Sequence, residues 1–175
     1  REENKAVHRV IVFIVLVSFL SGGSFFAAQA QPPELEAAIE RGPAAHPRLF
    51  FREGDTAALW GKIQGSARLK AVYAQICAVN AHIETETPLR REKVGKRLLG
   101  VSRAALQRIS YLAFAYRMTG EESALRRAEQ EMLAVSAFED WNPSHFLDVA
   151  EMTAALAIGY DWLFEALSPD TRAVV

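Results

Sequence analysis

His145, Asp148 and Glu151 follow one another at three-residue spacing, with Trp141 and Asn142 just ahead of them. On a helix that spacing sets an imidazole and two carboxylates along roughly one side. Such a set can line a cleft, with His145 and the Trp141 indole touching a sugar and the carboxylates orienting their neighbours. The plainer reading is a capping and packing cluster that holds the helix entry. A metal site is not inferred, because an i, i+3 pair of ligand-type residues is common by chance and no second ligand cluster stands nearby.

Tyr160, Asp161 and Trp162 make a second group. Indole and phenol rings stack well on sugar rings, yet Tyr160 also falls on an apolar stripe, which suits a core residue. Asp161 is then a partner for a backbone amide or a neighbouring side chain. A third group is basic: His82, Arg90, Arg91, Lys93, Lys96 and Arg97. It could attract a sulfated or uronate chain, although such runs usually form a solvated face.

The elements that must position these groups read as helices. Asp55 or Thr56 caps a short helix through Ile63. A second spans roughly 67–83, with Leu69, Val72, Ile76 and Val79 at helical spacing. Thr85 to Arg91, with Pro88, is a loop. Ser102 starts a helix to about Met118, striped by Leu106, Ile109, Leu112 and Tyr116; Thr119-Gly120 ends it. Glu121 and Glu122 open the next, striped by Leu125, Ala128, Met132 and Val135.

Asn142-Pro143 then reads as an N-cap followed by a first-turn proline. From there Phe146, Val149, Thr153, Leu156, Tyr160, Leu163 and Leu167 keep a 3-4-3-4 rhythm, flanked by further small apolar residues. A helix apolar nearly all round is expected to be buried among others. Ser168-Pro169-Asp170 repeats the cap-then-proline device. With no convincing alternating strand pattern, the fold class is all-α: stacked helical hairpins of the kind found in toroids and solenoids.

Composition bounds the partners. Of 175 residues half are hydrophobic, enough for a real core, and Lys plus Arg number 20 against Asp plus Glu 21, a formal net charge of -1. No overall field draws nucleic acid, so no such partner is predicted, and a local basic cleft for an acidic glycan stays open. Cys77 is the single cysteine, so an internal disulfide and a Cys-based zinc cluster are excluded, and no cofactor is predicted.

At the start, Lys5, His8 and Arg9 precede the apolar run Val10 to Leu20, and Ala28-Gln29-Ala30 follows. Basic start, short apolar core and A-x-A site are the parts of a secretory signal peptide, expected over residues 1–30 with cleavage after Ala30. The alternative, an anchor from Val10 to Ala28, has an apolar core of only 11 residues, against the roughly 20 of a spanning helix. The expected destination is the periplasm or the exterior, with membrane contact only through the signal. Residues 31–47 form a lead-in, and 48–175 the helical domain. The chain begins at Arg1 and ends just after a fresh helix start, so both ends read as cut.

The stretch from Trp141 to Met152, continuing through Gly159-Tyr-Asp-Trp162, resembles the N-terminal domain of heparinase II/III-type polysaccharide lyases. Leu112-Ala-Phe-Ala-Tyr116 with Thr119-Gly120, and the entry His46-Pro-Arg-Leu-Phe50, fit the same pattern, so the resemblance covers about 46–175. It implies the first hairpins of an incomplete (α/α) toroid, with β-sandwich domains after it, and β-elimination at a uronic acid of a heparin- or heparan-like acidic polysaccharide. In that reaction a neutralised C6 carboxylate makes the C5 proton removable by Tyr or His, and a general acid protonates the departing O4. The resemblance places the neutralising group and the base tyrosine on later helices and another histidine in the β region. No catalytic residue is therefore assigned within this stretch; Trp141, Asn142, His145, Asp148, Glu151, Asp161 and Trp162 are its candidate substrate-binding residues. An alginate or other uronate lyase or hydrolase of the same architecture fits equally. A rival of another class is a helical binding protein, since 112–120 with Ala124 and Ala128 resembles one tetratricopeptide unit; such proteins need about three copies near a 34-residue period, and no second copy is found.

Overall fold

The computed structural model describes residues 45–52 and 54–175. The chain divides at Pro43, and the described residues all belong to the second unit. The expected export signal, and the lead-in as far as residue 44, lie outside them. The described part is all-α: α1 (Asp55–Gly65), α2 (Ala67–Thr85), α3 (Leu99–Thr119), α4 (Glu122–Ser136), α5 (Phe146–Leu163) and α6 (Pro169–Val174). Among the described residues no helix is long and apolar enough to cross a membrane.

Cross-helix pairs give the directions. Tyr73 meets Phe114, Asn80 Nδ2 donates to the Tyr111 carbonyl and Arg108 reaches Glu86, so numbers fall on one helix as they rise on the other. Thus α2 runs antiparallel to α3. Gly120, at φ 72, closes α3 with its N–H on the Tyr116 carbonyl, and α4 starts two residues later. A left-handed turn that glycine adopts without a Cβ penalty folds α4 back along α3. Along α3 and α5 the numbers rise together: Leu98 bonds to Asp148, Ser102 to Glu151, and Ile109 lies over Gly159. These two helices run parallel, side by side, each antiparallel to α4.

The core sits between α3, α4 and α5. Ile109, Leu112, Met132, Val135 and Met152 are fully buried, with Leu163 nearly so. Burying a side chain of this size contributes about 1.5–3 kcal/mol of transfer free energy. The α4 stripe of Leu125, Ala128, Met132 and Val135 is buried as its period predicts, and Ser168 caps α6 by accepting from Thr171 N with Pro169 in the first turn.

Other local expectations are corrected. Helix α3 begins at Leu99, before Ser102, which is buried inside the first turns. On α2 the stripe residues Leu69 and Val72 are exposed, and Asn80 and Ile83 are the buried positions. Helix α5 starts at Phe146 rather than at Asn142-Pro143, because Asn142 takes φ 61 and spends its side chain on a cross-link described below. The buried arc of α5 is also rotated from the expected stripe. Asp148, Met152, Ala155, Leu156, Gly159, Asp161 and Leu163 go in, while Phe146 is 83% exposed and Thr153 faces outward. Both arcs are apolar enough to bury, so hydrophobicity alone does not choose; Asp148 finds its donors on the inner arc, while Asp161, about 140° away around the helix, is covered by the entry peptide. Helix α5 is consequently open on one side rather than buried all round.

Gly159 sets how closely α5 approaches its neighbours. A Cβ there would stand 2.5 Å from Ile109 Cγ2 and 2.9 Å from Met132 Sδ, both on fully buried side chains. In an exposed helix Gly→Ala stabilises by about 1 kcal/mol. Here overpacking outweighs it: Gly159→Ala is expected to lower stability by about 1–2 kcal/mol. A thermal melt checks this, and a raised Tm would contradict the packing described.

Candidate functional site

Asp148, on the first turn of α5, has no exposed surface. Its Oδ1 accepts from Arg97 Nη2 at 3.0 Å, and its Oδ2 accepts from Leu98 N at 2.8 Å and Asn142 Nδ2 at 2.7 Å. Asn142 Nδ2 also donates to the Lys96 carbonyl at 2.9 Å, and His145 Nδ1 lies 3.3 Å from it and 3.0 Å from Ser144 Oγ. Burial by itself would raise the Asp148 carboxyl; Arg97, Asn142 and the Leu98 N–H outweigh it and hold the pKa at about 2. One turn on, Glu151 accepts from Ser102 Oγ at 2.8 Å and stands 3.5 Å from Arg103 Nε. Trp141 is fixed by its Nε1 donating to the Val135 carbonyl at 2.9 Å. The structure thus brings Asn142, His145 and Asp148 together, with Arg97, at the junction between the 94–98 segment and the start of α5.

Asp161 and Trp162 lie at the other end of α5, apart from that junction. Asp161 Oδ2 accepts from Arg48 N and Leu49 N, each at 2.7 Å, and Oδ1 lies 2.7 Å from His46 Nδ1. Burial raises this carboxyl too, but the two N–H groups and His46 win and its pKa is lowered. Trp162 Nε1 donates to the Leu49 carbonyl at 2.6 Å, its ring meets Phe51 edge-on, and His46 stacks on Phe164 at 4.0 Å. The entry peptide is therefore fastened to α5 through both its backbone and its rings.

A third buried carboxylate escaped the sequence reading. Glu131 on α4 has no exposed surface; it accepts from Leu89 N at 2.9 Å, Arg108 Nη1 at 3.0 Å and Arg127 Nη2 at 2.5 Å. Arg127 Nη1 donates to the Glu86 carbonyl at 2.7 Å, and Arg108 pairs with the Glu86 carboxylate. Arg127 and Glu131 are an i, i+4 pair, a signal that ordinarily means a solvated helix face.

A cavity of about 410 Å³ runs along the open arc of α5 between Trp141, Thr153, Ala157 and Tyr160, with Arg172 at its side. Two aromatic walls and a guanidinium suit a sugar ring and its carboxylate. Of the basic group, Arg91 pairs with Glu139 at 3.0 Å and Asp140 at 2.6 Å, Arg97 with Asp148, and exposed His82 with Glu86 at 2.9 Å. Arg90, Lys93 and Lys96 are exposed and have no ion pair among the described residues. Among the described residues no three His, Cys, Asp or Glu side chains stand where they could hold a metal ion.

In comparison with known proteins, neither a family model nor a curated sequence matches this chain.

A carboxyl held at about 2 is no proton donor near neutral pH; Asp148 is an anchor. Because its folded pKa is depressed from 3.8 to about 2, its stabilisation is complete above the unfolded value and is lost as pH falls through that window. The expected result is a Tm that falls between pH 4 and pH 2 in the native chain and falls less in Asp148→Asn, whose Tm is already lower at neutral pH. Parallel pH profiles would show that Asp148 does not carry this dependence.

Proposed function

We propose that this chain is the N-terminal part of an exported polysaccharide lyase, the opening hairpins of an incomplete (α/α) toroid, acting on uronic-acid-containing glycans by β-elimination. The observation that carries the reading is the contact between the stretches that bear the resemblance. His46 to Leu49 is bound by Asp161 and Trp162, more than a hundred residues away in sequence. Motifs matched separately along the sequence are thus halves of one joint. The parallel placement of α3 and α5, with α4 folded back against both, adds support, since a toroid repeats such a step around its inner ring.

The chemistry assigns this stretch a supporting part. Elimination needs a neutraliser for the C6 carboxylate, a base at C5 and an acid at O4, all held in fixed geometry. The rigid joints at Asp148, Asp161 and Glu131 hold helices and connections in place. Trp141, Tyr160 and Arg172 offer a surface of the right chemistry for sugar and carboxylate.

The test is to express the complete reading frame, offer it heparin-type glycans and alginate separately, and look for the 4,5-unsaturated uronate that only elimination produces. Unsaturated product from at least one of them is expected, and the preferred glycan names the substrate. Saturated products would make the protein a hydrolase, and no turnover of any acidic glycan would remove the lyase reading.

A further inference from the structure

A pocket of about 130 Å³ lies between α2 and the turn from α3 into α4. Tyr73, Cys77, Asn80 and Glu84 line it from one face of α2, following each other at three- and four-residue spacing, and Thr119 and Glu121 line it from the turn. Asn80 is 6% exposed. Its Nδ2 donates to the Tyr111 carbonyl at 3.0 Å, which fixes the orientation of the amide, and its Oδ1 is buried with no hydrogen-bond partner. An acceptor left unpaired in such a place is unfavourable. On the wall of a pocket it calls for a donor among the pocket's contents.

The wall itself is rich in acceptors. Thr119 Oγ1 spends its proton on the Ala115 carbonyl at 2.9 Å and accepts from Glu121 N at 3.2 Å. Glu84 and Glu121 are exposed carboxylates with no ion pair among the described residues, and no Lys, Arg or His side chain lines the pocket. Burial, with Cys77 and Glu121 as neighbours, raises the pKa of the Tyr73 hydroxyl, which therefore keeps its proton. That hydroxyl and the Cys77 thiol can donate, but neither reaches Asn80 Oδ1. The negative end of the α3 dipole opens beside the pocket, while the positive end of α4 is already offset by its own Glu121 and Glu122.

We propose that this pocket binds the ammonium group of a small primary amine, its N–H donors meeting Asn80 Oδ1 and its charge meeting the carboxylates of Glu84 and Glu121. An ammonium brings three donors and one positive charge together, which matches a buried neutral acceptor flanked by two carboxylates. Water supplies the donor without the charge. A metal ion needs a closer ligand set, and among the described residues no three His, Cys, Asp or Glu side chains stand where they could hold one. The space is small beside the roughly 300–1,000 Å³ of ordinary ligand pockets, so it suits the end of a small molecule and not a glycan. Amine binding here is independent of the lyase reading.

The test is an NMR titration of the purified chain, at neutral pH and low salt, with methylammonium, tetramethylammonium and potassium. Methylammonium is expected to move the Asn80 side-chain amide signals and the backbone amides of Cys77 and Thr119 saturably, in the millimolar range that suits so small a ligand. The Glu84→Gln/Glu121→Gln double variant should bind about tenfold more weakly. Both side chains are exposed and Glu121 makes no side-chain cap bond, so an unchanged melting curve shows that the fold is intact. Tetramethylammonium and potassium bring charge without N–H donors and should leave the Asn80 signals in place. An equal response to either overturns the ammonium assignment, and so does methylammonium binding that is indifferent to the double variant. Signals that stay still at every concentration show that the pocket holds water only, and remove the site.

Discussion

A carboxylate taken out of water needs donors in return, and in this protein those donors come from the chain between the helices. Asp148 takes the Leu98 N–H, Asp161 those of Arg48 and Leu49, and Glu131 that of Leu89. Each acid sits on a helix of the central group, and each N–H belongs to a segment outside regular structure or at a helix boundary. A backbone N–H left unpaired in such a place, like an uncompensated buried charge, would be strongly unfavourable. The two needs are met by one contact, repeated three times. Helices that could slide on apolar surfaces alone are thereby held in register with the connections that lead into them.

One of these contacts, that of Asp148, bears on which side of α5 faces inward. Its two arcs are both apolar, so transfer free energy changes little with rotation about the axis. Turning Asp148 outward would strand Leu98 without its acceptor, and Gly159, on the same arc, would no longer meet the crowded point beneath Ile109 and Met132; Asp161, on another side of the helix, is covered by the entry peptide at Arg48 and Leu49. The arc left over carries Phe146, Thr153, Ala157 and Tyr160, and the last three line a cavity together with Trp141 and Arg172. The features with sugar-binding character are thus the complement of the face that Asp148 and Gly159 turn inward.

What the sequence made legible was set by short-range rules. The α4 stripe, the glycine end of α3 and the Ser168-Pro169 start of α6 depend on residues within a turn or two, and each is found where its pattern lies. The entry to α5 was misplaced because Asn142 has the credentials of an N-cap, while Lys96 and Asp148, settled only in the folded chain, draw it into a left-handed cross-link. Glu131 was overlooked because an Arg–Glu pair one turn apart looks the same whether solvated or buried. Of the candidate site, the sequence set His145 and Asp148 on one side of a helix with Asn142 as its cap, and put Asp161 in a second group as a partner for a backbone amide or a neighbouring side chain; which partners these are was not legible, since those of Asn142 and Asp161 lie some 46 to 115 residues away.

Amide hydrogen exchange at single residues tests most directly whether buried carboxylates hold the connections. Leu49, Leu89 and Leu98 lie outside or at the edge of the helices and would exchange quickly if their segments were only draped over the surface. The account predicts protection at these three amides close to that of the α5 interior, with Lys93 on the neighbouring open turn exchanging fast. Rapid exchange at Leu49, Leu89 and Leu98, indistinguishable from Lys93, would contradict it.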